Sequence, residues 1–238
     1  IMPVHLYGSV VDIDKIKKII KKKSIFLIDD CSQAHGAIYN HKNEKKYVGS
    51  LADISCFSLY PGKNLGAYGD AGIITTNSKK FYKIIKNLRN LGSDKKFEHT
   101  KIGHNSRLDT IQSLILLRKL KFLSKNNNKR KKIAHYYHNE IKNKNVEKIE
   151  YTKHSVYHQY VIKTKKRKKL IELFNKNKIQ YGFHYPKSIN QLAVFKKTFS
   201  KNKFPNAEKL ANNGISLPID PNLKIKQIKR VVKLINSI

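Results

Sequence analysis

The 238-residue sequence is short of cysteine, arginine, acidic groups and long apolar runs, and each shortage argues against a class of protein. Its two cysteines, Cys31 and Cys56, sit in apolar, strand-like contexts without CxxC spacing. That argues against a disulfide framework or a zinc site, leaves no metal centre to expect, and suits a reducing cytosol. No apolar stretch approaches the length of a membrane span. No internal repeat is evident. No signal peptide is visible. The opening Ile1-Met2-Pro3-Val4-His5-Leu6-Tyr7-Gly8 reads as a strand running straight into a loop, which predicts that the chain starts inside a domain.

Acidic residues number 16 against 50 lysines and arginines, a formal net charge of +34. Such an excess suggests a nucleic-acid or anionic-membrane surface. It also fits a composition biased towards Lys, Asn and Ile, as an AT-rich genome produces. Arginine, whose bidentate fork suits phosphate and base recognition, occurs only at 89, 107, 118, 130, 167 and 230. The lysines are spread over many amphipathic segments, often beside asparagine, as in 125–132. The compositional reading prevails, and neither a specific nucleic acid nor a membrane is expected as partner.

What is present alternates between strand and helix patterns. Residues 25–29 form an apolar run ending in carboxylates, the pattern of a strand buried on both faces. Before it, 14–23 shows helical spacing. Residues 54–59 and 72–76 read as further buried strands, and 78–90 as a helix with Phe81, Ile84, Ile85 and Leu88 on one face. The alternation predicts an α/β layered domain. Ser106-Arg107-Leu108-Asp109 has the form of a capping box opening a long helix through Phe122, with a separate helix over 129–141. From about Val146 the character shifts: strand patterns at 155–163 and 179–185, and helices at 165–177 and 225–238, predict a smaller α+β domain. The expected division is 1–145 and 146–238.

Between Tyr47 and Ser78 the only Lys or Arg is Lys63, within Pro61-Gly62-Lys63-Asn64-Leu65-Gly66-Ala67-Tyr68-Gly69-Asp70. A lysine in such surroundings has its charged form disfavoured by desolvation, which makes it a nucleophile; an ordinary loop lysine is the alternative. Asp29-Asp30-Cys31-Ser32-Gln33-Ala34-His35-Gly36 places carboxylates at the carboxyl end of a strand, where ligands bind in open α/β sheets; a helix cap or solvated turn is the alternative. Adjacent strand residues face opposite ways, so one aspartate can serve a ligand and the other the structure. A lysine that binds a carbonyl covalently and a carboxylate that keeps a pyridine nitrogen protonated are what pyridoxal 5'-phosphate (PLP) chemistry needs.

These segments, with Pro3–Gly8, Cys56–Asp70, Leu88-Arg89-Asn90-Leu91-Gly92, Gly103-His104-Asn105-Ser106-Arg107-Leu108-Asp109, and more weakly Phe183-His184-Tyr185-Pro186 and Leu217-Pro218, resemble the DegT/DnrJ/EryC1/StrS family of sugar aminotransferases over nearly the whole chain. The resemblance implies the PLP-transferase fold type I, with a mostly parallel sheet flanked by helices, incomplete here, and a small C-terminal α+β domain. It implies that Lys63 holds the cofactor and shuttles a proton, that Asp30 pairs with the pyridine nitrogen, and that Gln33 contacts the ring or its phenolic oxygen. Ser58 would bind the phosphate. Asn105 would reach the phosphate in a neighbouring subunit, making the active unit a homodimer. His184 and Tyr185 would contact a nucleotide sugar; aromatic packing at a strand end is the alternative. Members with histidine at the lysine position act as dehydratases, and Lys63 argues against that branch. The Tyr-Pro-Gly-Lys-Asn-Leu-Gly form is most similar to members that aminate dTDP-linked 3-keto-6-deoxy sugars, with glutamate as the expected amino donor and the cytoplasm as the expected place.

The sequence departs from the family in one respect. The family carries upstream of its Pro-Val-His-Leu-Tyr-Gly equivalent a turn that grips the phosphate, a residue that stacks on the ring and several strands of the central sheet. None is present, so the resemblance implies an N-terminally truncated chain with exposed sheet edges. Two other readings stay open: a basic nucleic-acid-binding or regulatory protein whose DNA binding weakens with salt, and an inactive fragment of the same fold.

Overall fold

The computed structural model describes residues 1–21, 23–41 and 44–238. The chain forms two compact units: 1–128 with 154–158, and 129–153 with 159–238.

In the first unit, helix α1 (Ile13–Ile20) starts where Asp12 accepts the Lys15 N–H, an N-cap bond. The helical spacing expected over 14–23 therefore stops at Ile20, and Lys22 lies outside the described residues. Strand β1 (Ile28–Asp30) follows, then the antiparallel pair β2 (Ile38–His41) and β3 (Glu44–Tyr47), and then β4 (Ile54–Ser58) and β5 (Gly72–Thr75). The central sheet has the order β1-β4-β5. β1 and β4 are parallel, with Asp30 opposite Cys56, whereas β4 and β5 are antiparallel. Beyond β1, the chain's first residues add a strand-like rung: Ile28 and Asp30 donate to the Ile1 and Pro3 carbonyls, and His5 donates to that of Asp30.

The run at 25–29 is not buried on both faces. Leu27 and Asp29 are buried, but Phe26 is 63% exposed. Alternation, the signature of a sheet with one covered face, replaces the continuous burial expected. Leu27, Cys31, Ala34, Ala37 and Tyr39 pack with Ile13 and Ile20 of α1 into one core.

Helix α2 (Lys79–Leu88) has Ser78 as its cap, accepting from the Phe81 N–H. A short antiparallel pair, β6 (Ser93–Lys95) and β7 (Glu98–His99), leads towards helix α3 (Thr110–Glu140). The two helices expected over 106–122 and 129–141 are one helix of 31 residues, and it begins at Thr110 rather than at Ser106. The Ser106 N–H instead donates to the Arg89 carbonyl. Asn126–Asn128, a poor helix-forming cluster, is nevertheless helical, and Asn127 is buried.

The second unit contains α3 from Lys129 onward and an antiparallel sheet of β8 (Val146–Lys148), β9 (Tyr160–Thr164) and β10 (Gly214–Leu217), in the order β10-β9-β8. Helices α4 (Arg167–Lys176), α5 (Pro205–Asn213) and α6 (Ile225–Asn236) complete it. Leu170 and Phe174 of α4 and Ile228, Val231, Val232 and Ile235 of α6 are buried. The strand expected over 179–185 shrinks to a single bridge between Gly182 and Ser216.

Candidate active site

Parallel strands end at the same edge of a sheet, so β1 and β4 deliver Asp29, Asp30 and Ser58 to one side of the first unit. The two aspartates separate there. Asp29 is fully buried; its Oδ2 accepts the Tyr39 hydroxyl at 3.0 Å and lies 3.6 Å from His5 Nε2, whose Nδ1 accepts the Val11 N–H. Burial first, and the Asp29 charge second, push the Tyr39 hydroxyl well above its ordinary pKa and keep it a donor. Asp30 is half-buried, with Oδ1 accepting the Ser32 N–H at 2.9 Å in an Asx turn. Asp29 is thus committed to the core behind the site, and Asp30 to its front.

Lys63 follows β4 in a tight turn in which its N–H donates to the Tyr60 carbonyl. The turn is pinned from below: Leu59, Leu65 and Ala67 are buried with Leu116 of α3, and the Ala67 N–H donates to the Leu59 carbonyl. Gly66 has no room for a side chain, since a Cβ there would stand 2.4 Å from the Pro61 carbonyl oxygen. Lys63 itself is half-buried, and burial lowers the pKa of its amine from the ordinary 10.5 while the Asp30 carboxylate opposes the shift. The Asp30 carboxylate thus favours the charged form of Lys63, against burial.

Ser58 is half-buried at the end of β4, where its Oγ accepts the Tyr60 N–H at 3.4 Å. Gln33 is buried, with Oε1 accepting the Tyr7 N–H at 2.6 Å, so the loop after β1 is tied to the turn at Leu6–Gly8. Asp30 and Ser58 end their strands, and Gln33 and Lys63 lie in the loops that follow, all at this one sheet edge. Asn105 does not: it is exposed, in a bridge with Asn90. His184 and Tyr185 lie in the second unit, where His184 Nδ1 is 2.7 Å from Ser216 Oγ and Tyr185 is exposed.

Two features escaped the sequence. His35 is buried against the Phe57 ring, and its imidazole is pushed down to about 4 by burial, with the Lys63 charge adding to the shift and the Ser58 backbone opposing it. Asn64 is held by Asn127 and His158, 63 and 94 residues away. Local spacing carries no sign of contacts that distant.

The family model described as the DegT/DnrJ/EryC1/StrS aminotransferase family matches residues 1–236, and the chain belongs to that family. It is 42% identical to the dTDP-3-amino-3,6-dideoxy-alpha-D-galactopyranose transaminase of Aneurinibacillus thermoaerophilus, over 99% of this chain and 64% of the relative. It is 35% identical to the UDP-N-acetyl-3-dehydro-alpha-D-glucosamine 3-aminotransferase of Acidithiobacillus ferrooxidans, over 99% of this chain and 63% of the relative. The crystal structure of S. venezuelae DesV in complex with a ketimine intermediate superposes with a TM-score of 0.90 at 30% identity, covering 99% of this chain and 64% of that one. The fold is the expected mixed α/β fold type I. The chain spans less than two thirds of the length of these relatives.

Proposed function

We propose that this chain carries the cofactor lysine of a PLP-dependent aminotransferase acting on a nucleotide-linked keto-sugar. The supporting observation is Lys63: a half-buried amine whose pKa burial lowers, in the turn after β4, at the edge where the parallel strand β1 ends in Asp30. Aminotransferases of this family are PLP-dependent, and a half-buried amine, carboxylate and hydroxyl at one sheet edge are a set of groups that suits that cofactor. When bound, PLP would supply an electron sink and would carry the amino nitrogen from a donor to a sugar carbon.

The chain's own residues take the remaining roles. Desolvation raises the share of neutral Lys63 Nζ, the form that attacks an aldehyde carbon, and the same nitrogen would later carry a proton between the two carbons on either side of the transferred nitrogen. Asp30 holds a pyridine nitrogen in its protonated form. Ser58 takes a phosphate oxygen, and Gln33 the ring or its phenolic oxygen. The active unit is a homodimer in which Asn105 reaches the phosphate bound by the partner subunit. His184 and Tyr185 meet the sugar nucleotide. We assign glutamate as donor, a dTDP-linked 3-keto-6-deoxy sugar as acceptor and the cytoplasm as location, with 1–145 as the cofactor domain and 146–238 as the small domain. The relatives named above, one acting on a dTDP sugar and one on a UDP sugar, support the substrate class.

The test is to incubate the protein with PLP, reduce with borohydride and map the modified peptides. A pyridoxyl adduct on Lys63 alone, lost in Lys63→Arg, supports the proposal. A folded preparation with no adduct, or with adducts scattered over surface lysines, refutes it. The length relation to the relatives favours one second reading, an inactive fragment. Trapping only after the relatives' additional N-terminal length is supplied would establish that reading.

A further inference from the structure

Resting on Lys63 as the cofactor lysine, we propose that Asn64, Asn127 and His158 are positioning residues, a directed hydrogen-bond chain that locks the Lys63 turn to the loop carrying Gln33. Asn127, buried on α3, donates from Nδ2 to the His35 carbonyl at 2.8 Å. A carbonyl only accepts, so the orientation of the Asn127 amide is fixed and its Oδ1 faces Asn64. Asn64 Nδ2 donates to that oxygen at 3.0 Å and to the Val156 carbonyl at 3.2 Å. Both acceptors fix the Asn64 amide in turn, and its Oδ1 lies 3.1 Å from His158 Nδ1, which must therefore carry the proton. Every group has one role, and reversing either amide breaks the whole sequence of bonds.

The chain of bonds joins three segments that no backbone ladder connects: the turn at 60–66, the loop at 31–36 and the segment at 154–158. Asn127 fits between them because Gly36 has φ +79° and no side chain; a Cβ there would stand 3.1 Å from Asn127 Nδ2. These bonds offset the poor helix propensity of Asn127 in the middle of α3. Asn64 directly follows Lys63, and His35 lies two residues past Gln33. Fixing these neighbours holds Lys63 Nζ in its desolvated place beside Asp30. A displacement of an ångström at such a site costs on the order of 100-fold in rate.

The test compares Asn127→Asp, which keeps the acceptor for Asn64 but faces the His35 carbonyl with an oxygen, with His158→Leu and His158→Asn at the far end. The readouts are the pH midpoint of Lys63 acylation in cofactor-free protein, mapped by mass spectrometry, and the rate of borohydride-trapped PLP incorporation. The expected result is a Lys63 midpoint that rises towards an ordinary lysine in Asn127→Asp and His158→Leu, with trapping slowed roughly 10- to 100-fold. His158→Asn, which can still donate to Asn64, restores most of both. Should Asn127→Asp not fold, the two His158 variants decide alone. A Lys63 midpoint and trapping rate equal to wild type in folded His158→Leu would overturn the proposal. If wild type itself traps no PLP on Lys63, the cofactor reading fails separately, and the acylation midpoint still judges the network.

Discussion

At the residue scale, burial sets the chemistry, and two side chains show how. His35 is neutral in the folded chain because its imidazole is pushed down to about 4, whereas an unfolded chain takes up that proton from about 6.5. Between those values the unfolded state binds more protons, so this contribution is complete above pH 6.5 and is lost as pH falls towards 4. The full loss is about 3 kcal/mol. Urea unfolding of His35→Gln at pH 7 and pH 5 should show a smaller drop in stability than wild type by roughly 2 kcal/mol; equal drops would show that His35 does not carry the acid sensitivity. At Lys63 the two influences oppose. Asp30→Asn keeps the oxygen that accepts the Ser32 N–H but removes the charge that raises the Lys63 pKa. Lys63 should then acylate with a lower pH midpoint than in wild type, at nearly unchanged stability. The half-buried setting of Lys63 was legible in the sequence because it stands alone in a segment without other basic residues. The place of Asp30 at the end of a strand was legible from the apolar run before it. The different burial of Asp29 and Asp30 followed from strand alternation, but Tyr39 and His5, which hold Asp29, come together only through tertiary packing.

At the element scale, caps and alternation were readable where local chemistry decided, and unreadable where packing overrode it. Ser78 caps α2 through the Phe81 N–H, and Ser78→Ala should cost about 1 kcal/mol in urea unfolding while leaving Lys63 acylation unchanged. A shift in the Lys63 midpoint would mean that α2 supports the site directly. The Ser106–Asp109 pattern misled because its first residue is held elsewhere, donating to Arg89. The gap at 123–128 between the two expected helices is carried through as helix, and Asn127 within it gains buried partners that offset its poor propensity. The antiparallel pair β2 and β3 and the strand β10 carried no turn signal strong enough to announce them.

At the scale of the whole molecule, the charge of +34 and an exposed apolar row on α3 make opposite demands. Ile111, Leu114, Leu117 and Leu120 are each at least half exposed along the first half of that helix. Such a row is costly to leave in water. A second copy packed on this row would cover it, and burying one leucine there would contribute about 1.5–3 kcal/mol. Leu114→Lys should therefore weaken association at least about tenfold in sedimentation experiments. Salt separates this from the nucleic-acid reading. Two copies of so basic a chain repel, and screening removes that repulsion, so dimerisation should strengthen from low to physiological ionic strength. Binding to DNA through lysines should weaken over the same range, because fewer counterions are released to advantage. A chain that sediments as a dimer more readily with added salt, and loses that behaviour in Leu114→Lys, uses its lysines as a solvated surface; a chain that stays monomeric while binding DNA only at low salt uses them as a binding face.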